Sequence, residues 1–166
     1  LRERLAALYG CTPAQLLAGR GSDEGIDLLV RAVCRPGGDA IVVTTPTFGM
    51  YAVSARLHGT AVVDVPFPER DGRWSCDFAA VGDATLAQGA RLVFLCSPGN
   101  PSGALLPLDA IAALAERLQG AALVDAGEPP GARPRRTGAT PLRVRQNRRQ
   151  QGRLGIAQLA GRLAER

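Results

Sequence analysis

Residues 40–65, AIVVTTPTFGMYAVSARLHGTAVVDV, hold two short apolar β-branched runs separated by a helix-length stretch. AIVVT (40–44) and TAVVDV (60–65) read as buried strands, and a helix fits 48–58 between them. Strands without polar alternation, joined through a helix, indicate parallel pairing with both faces covered. The pattern continues outward. RLVFLC (91–96) and AALVD (121–125) are two further strand runs. On the N-terminal side, LRERLAALY (1–9) reads as the end of a helix with Leu1, Leu5 and Leu8 on one face. Ser22 can cap a helix whose stripe is Ile26, Leu29, Val30 and Val33, ended by Pro36-Gly37. A helix from Leu108 to Leu118 runs through Ile111, Leu114 and Ala115. No internal repeat is present. The fold class is α/β, a mostly parallel sheet with helices on both faces.

The 166 residues, 46% hydrophobic, suit one domain or a piece of a larger one. No apolar run approaches the roughly 18 residues of a membrane helix. No charged-then-apolar leader opens the chain, which leaves a cytoplasmic setting as the expectation. The first residue is Leu1 and the single methionine is Met50, so the expectation is a sequence that does not begin at a translation start. Cys11, Cys34, Cys76 and Cys96 lie far apart and only one histidine exists, so no metal site is expected and the thiols read as reduced. That histidine, His58, sits late in a helix and reads as partly exposed rather than catalytic. All 20 basic residues are arginine, which removes any mechanism needing a lysine amine from this chain.

Charge divides the chain in two. Residues 1–128 carry 10 arginines and 14 acids, net −4; residues 129–166 carry 10 arginines and one acid, Glu165, net +9. The last aromatic is Phe94. Two regions follow from this: a mildly acidic globular body (1–128) and an Arg-rich tail (129–166), expected to be poorly ordered or frame-shifted. Three accounts of the tail stand: a reading-frame change near codon 125, a solvated tail ending in a helix with Ile156, Leu159, Ala160 and Leu163 on one stripe, and a nucleic-acid-binding arm centred on RVRQNRRQQGR (143–153). The third is the weakest, since no aromatic is interleaved for base stacking.

Three segments lie where open α/β sheets place ligands, at strand C-termini and helix N-termini. In GRGSDEGIDLL (19–29), Gly19 and Gly21 permit a tight turn into a helix whose first N–H groups suit a phosphate. Ser22, Asp23 and Glu24 could equally do no more than cap that helix. In TTPTFGMY (44–51), Pro46 stops the strand and leaves Phe48 and Tyr51 near the sheet edge, to cover a planar ring or to pack the core. In LVFLCSPGNPSG (92–103), Asn100 sits in a rigid turn, as a ligand contact or as a turn-former.

In order and spacing, GRGSDEGIDLLVRAVCRPGGDAI, PTFGMYAVSARLHG and LVFLCSPGNPSG resemble the fold-type-I pyridoxal-phosphate aminotransferases, and within them the histidinol-phosphate aminotransferase family. The resemblance covers about residues 1–125. It implies a homodimeric enzyme with small-molecule substrates and pyridoxal phosphate at the strand ends, moving an amino group between a histidine-pathway phosphate ester and 2-oxoglutarate. It places Ser22, Asp23 and Glu24 beside the cofactor phosphate and Phe48 against the pyridine ring. It gives Asn100 the cofactor's phenolic oxygen and Asp125 the pyridine nitrogen. After Asp125 the family continues Glu-Ala-Tyr, whereas this chain reads Ala126, Gly127, Glu128. The Schiff-base lysine, the C-terminal substrate-binding arginine and the N-terminal dimer arm are not found in this sequence, so no catalytic residue is assigned and an inactive copy with weak or absent cofactor binding is expected. The rivals are a nucleic-acid-binding protein acting through the tail and an aminotransferase for another amino acid.

Overall fold

The computed structural model describes residues 2–9, 11–118, 121–126 and 142–145. In chain order these form α1 (Arg2–Tyr9), α2 (Ser22–Val33), β1 (Ala40–Thr45), α3 (Met50–His58), β2 (Ala61–Pro66) and a short hairpin of β3 (Glu69–Arg70) and β4 (Arg73–Trp74). There follow α4 (Phe78–Ala87), β5 (Leu92–Cys96), α5 (Leu108–Arg117), β6 (Ala122–Ala126) and β7 (Leu142–Arg145). The main sheet has the order β2-β1-β5-β6-β7. Its first three pairings are parallel and the last, β6 with β7, is antiparallel.

Period-two alternation sends the side chains of β1 and β5 to two cores. On one face Ile41, Val43, Leu92 and Phe94 pack with Ile26, Leu29 and Val30 of α2 and with Tyr51 and Ala55 of α3. On the other, Val42, Val93 and Leu95 pack with Val81 of α4 and with Ile111 and Leu114 of α5. Helices therefore cover both faces. Each fully buried Ile, Leu or Val contributes about 1.5–3 kcal/mol. The α2 stripe forms as its spacing requires, with Asp23 and Glu24 in the first turn and Arg31 in the last, matching the helix dipole.

Three features depart from the sequence reading. Ser22 is the first helical residue of α2 rather than its cap; the capping position is Gly21, at φ 142° and ψ 179°, which only glycine occupies easily. Helix α4 escapes the hydrophobic pattern because its buried face is Val81, Gly82 and Thr85, small residues without a leucine stripe. It is nucleated instead by Asp77, whose carboxylate accepts from the Ala80 N–H at 2.9 Å. Finally, the tail contributes a strand. Leu142–Arg145 pairs with the otherwise open edge of β6, where unpaired backbone groups favour strand addition. The remaining expectations for 127–141 and 146–166 fall outside the described residues, as does Leu1 of the first helical stripe.

Candidate functional site

Parallel pairing brings the C-terminal ends of β2, β1, β5 and β6 to one edge of the sheet. Thr45 leads off that edge into Pro46-Thr47-Phe48, and Cys96 leads into the Ser97–Leu106 loop. Helix α2 packs on the sheet and feeds β1 from the opposite edge, so it runs against the strands. Its N-terminus at Ser22 therefore lies toward the same edge as Thr45. The topology thus brings the three glycine- and proline-rich segments to one side of the sheet.

At α2, Gly21 makes no side-chain cap, which leaves the first N–H groups without intrahelical or capping partners. A Cβ at Gly21 would meet nothing within 4 Å, so the approach to those groups is open. Asp23 is exposed and, with Arg20, Glu24, Asp27 and Leu28, lines an open depression of about 410 Å³. Glu24 is engaged nearby: its carboxylate accepts the Arg20 backbone N–H at 2.6 Å and lies 3.5 Å from the Arg20 guanidinium.

The two aromatics of the second segment separate clearly. Tyr51 is buried and stacks on Phe94, centroids 4.5 Å apart and planes at 11°. Its role is the core. Phe48 is half-buried and meets Tyr51 edge-on at 5.7 Å and 82°, so one ring supports the other from behind. The Phe48 carbonyl accepts the Tyr51 N–H at 3.3 Å. Upstream, the Thr45 N–H and hydroxyl donate to the two Asp64 carboxylate oxygens at 3.1 and 2.6 Å. Between these anchors, the Thr47 hydroxyl oxygen is buried without a hydrogen-bond partner.

Asn100 is exposed at the tip of the third segment. The loop beneath it is closed by Gly99 N–H to the Ala104 carbonyl (2.8 Å), Gly103 N–H to the Gly99 carbonyl (2.7 Å), and Leu106 N–H to the Ser97 hydroxyl oxygen (2.9 Å). The Ser102 hydroxyl packs directly over Gly99, where a Cβ would make it shift. Asp125 lies one residue before the end of β6, in register with Leu95 of β5 and Arg143 of β7. Sequence reasoning missed Thr45, Thr47, Asp64 and Ser97. The one available signal was Asp64 itself, an acid interrupting an apolar strand run.

Residues 1–126 match the family described as aminotransferase class I and II. The chain belongs to that family. Among curated relatives, this aminotransferase chain is 56% identical over 124 residues to histidinol-phosphate aminotransferase of Xylella fastidiosa, covering 75% of this chain and 34% of that protein. The same enzyme of Stenotrophomonas maltophilia matches to the same extent. The chain thus spans about a third of the length of these relatives. Among solved structures, histidinol-phosphate aminotransferase from Sinorhizobium meliloti in complex with pyridoxal-5′-phosphate superposes with a TM-score of 0.62 at 30% identity, over 74% of this chain and 32% of that one. Pyridoxal phosphate is bound in several of the matching structures, cystalysin from Treponema denticola included. Among the described residues of this aminotransferase chain, no helix is long and apolar enough to cross a membrane, and no cluster of His, Cys, Asp or Glu could hold a metal ion.

Proposed function

We propose that this chain carries the phosphate-, ring- and oxygen-binding part of a histidinol-phosphate aminotransferase site, in a cytoplasmic protein that is dimeric when its family's remaining segments are present. The observation that carries the reading is the 56% identity over 124 residues to enzymes of that name. The residues fit the cofactor in kind: uncapped N–H groups at α2, a half-buried Phe48 backed by Tyr51, an orphaned Thr47 hydroxyl beside it, and an exposed Asn100 amide.

When bound, pyridoxal phosphate supplies an electron-withdrawing ring that takes up the charge left on the substrate carbon. This chain's residues bind and orient it. The Ser22 and Asp23 N–H groups hold the phosphate at the positive end of α2. The Phe48 ring covers one face of the pyridine and excludes water from it. The Asn100 amide donates to the phenolic oxygen, and the Asp125 carboxylate keeps a proton on the pyridine nitrogen. Moving the proton between carbons needs an amine that no side chain here provides, since the chain has no lysine. The test is binding of pyridoxine 5′-phosphate, which has the ring and phosphate without the aldehyde, by equilibrium dialysis. Weak saturable binding that Phe48→Ala and Asn100→Ala each reduce supports the reading. Binding that neither substitution changes, or none at all, refutes it.

A further inference from the structure

Asp64 belongs to β2, the edge strand of the sheet. The β1–β2 register sets Val43 against Asp64 and Thr45 against Pro66. Alternation puts Val62 and Asp64 on the α2–α3 face, the face that also holds Ile41, Val43, Phe48, Tyr51 and Phe94. An exposed acid on an edge strand has no structural need of a partner two residues along the neighbouring strand. This one nevertheless accepts both donors of Thr45, at 3.1 and 2.6 Å, across 19 positions of sequence. The third polar group of Thr45, its carbonyl, accepts the Phe67 N–H at 2.7 Å. Every hydrogen-bonding group of the last β1 residue is therefore committed, immediately before Pro46, which has no N–H to offer. Charge-assisted bonds of this kind are short and directional. The turn that follows has one anchor at its start, Asp64, and one at its end, Tyr51.

We propose that Asp64 is a positioning residue: by holding Thr45 it fixes the Thr45–Phe48 turn and so sets where the Phe48 ring lies over the cofactor. The role rests on the reading of Phe48 given above; the hold on the turn itself does not. Asp64 touches neither cofactor nor substrate in this account and acts only through Thr45.

The test uses the 166-residue chain and its variants Asp64→Ala, Asp64→Asn, Thr45→Val and Phe48→Ala. Amide exchange and ring nuclear Overhauser effects report the turn, and dialysis against pyridoxine 5′-phosphate reports the site. In Asp64→Ala, exchange at Thr45 should accelerate at least tenfold and Phe48–Tyr51 ring contacts should weaken, while Tyr51–Phe94 contacts persist. Its dissociation constant should rise about three- to tenfold, and in a Phe48→Ala background Asp64→Ala should cause no further loss. Asp64→Asn keeps one acceptor oxygen and should recover part of both signals. Thr45→Val removes only the hydroxyl donor and should move both in the same direction, which keeps the test usable if Asp64→Ala unfolds. Unchanged Thr45 exchange and unchanged Phe48–Tyr51 contacts in Asp64→Ala and Thr45→Val overturn the proposal. So does weaker binding in Phe48→Ala with none in Asp64→Ala. If Phe48→Ala leaves binding unchanged, the reading of Phe48 fails instead, and exchange at Thr45 alone decides whether Asp64 holds the turn.

Discussion

Cys34 is buried at the C-terminal end of α2, and removal from water, reinforced by nearby Asp39, pushes its thiol up to about 11. Burial pushes the Cys76 thiol to about 11 as well. At pH 8 only about 0.1% of such a group is thiolate, the reactive form. Iodoacetamide labelling at pH 8, mapped by mass spectrometry, should therefore modify Cys34 and Cys76 last among the four cysteines; early labelling of Cys34 would contradict its burial. Asp39 moves the other way. The Arg35 guanidinium and backbone N–H donate to it at 2.7–3.1 Å and hold its carboxyl at about 2, below the ordinary 3.8. A lowered folded-state value means that the stabilisation is complete above pH 4 and is lost as pH falls through about 2. Arg35→Ala should thus lower the melting temperature at pH 6 by an amount that shrinks between pH 4 and 2. A difference constant across that range would show that the pair contributes nothing through ionisation.

The N-terminus of α2 is the element on which the phosphate assignment turns. Because Gly21 occupies a conformation with φ 142° and ψ 179°, Gly21→Ala should destabilise the fold by about 1–3 kcal/mol. Ser22→Ala should cost well under the ~1 kcal/mol typical of losing a cap, because Ser22 is already inside the helix and no side chain caps it. Urea unfolding of both variants checks the pair; a larger loss for Ser22→Ala would restore the serine as the cap. The long periodic elements were legible in the residues: β1, β5, α2 and α5 carry β-branched runs or leucine and isoleucine stripes that admit one reading. Helix α4 was not, since its buried face is Val81, Gly82 and Thr85, and the β3–β4 hairpin is only two residues per strand. Strand β7 was hidden by the composition of the tail around it. Leu142, Arg143, Val144 and Arg145 alternate as a strand does, but what recruits them is the open edge of β6.

For the whole molecule, the expected outcome is the absence of turnover. The purified chain should not transaminate histidinol phosphate with 2-oxoglutarate, and borohydride in the presence of pyridoxal phosphate should leave no adduct on a side chain. The backbone α-amino group of the purified chain can also react, so its modification is checked by mass. Deleting residues 129–166 should not produce activity, because the deletion supplies no lysine. Turnover by this chain free of any longer aminotransferase would overturn that account.

What the residues alone determined is chemical and local. They carry no lysine, they place strands and helices in alternation, and they set GSDE, PTFGMY and NPSG in the order of an aminotransferase. The first two follow from composition and short-range periodicity, and the third from the likeness of the motifs to a known family; none needs a partner element to reveal it. Tertiary structure decided which aromatic is core and which is available. Phe48 and Tyr51 are three residues apart and alike in type, yet only packing against Phe94 assigns Tyr51 to the interior. It also decided that Asp64 grips Thr45 across two strands, a contact 19 positions long that depends on a register no local pattern encodes.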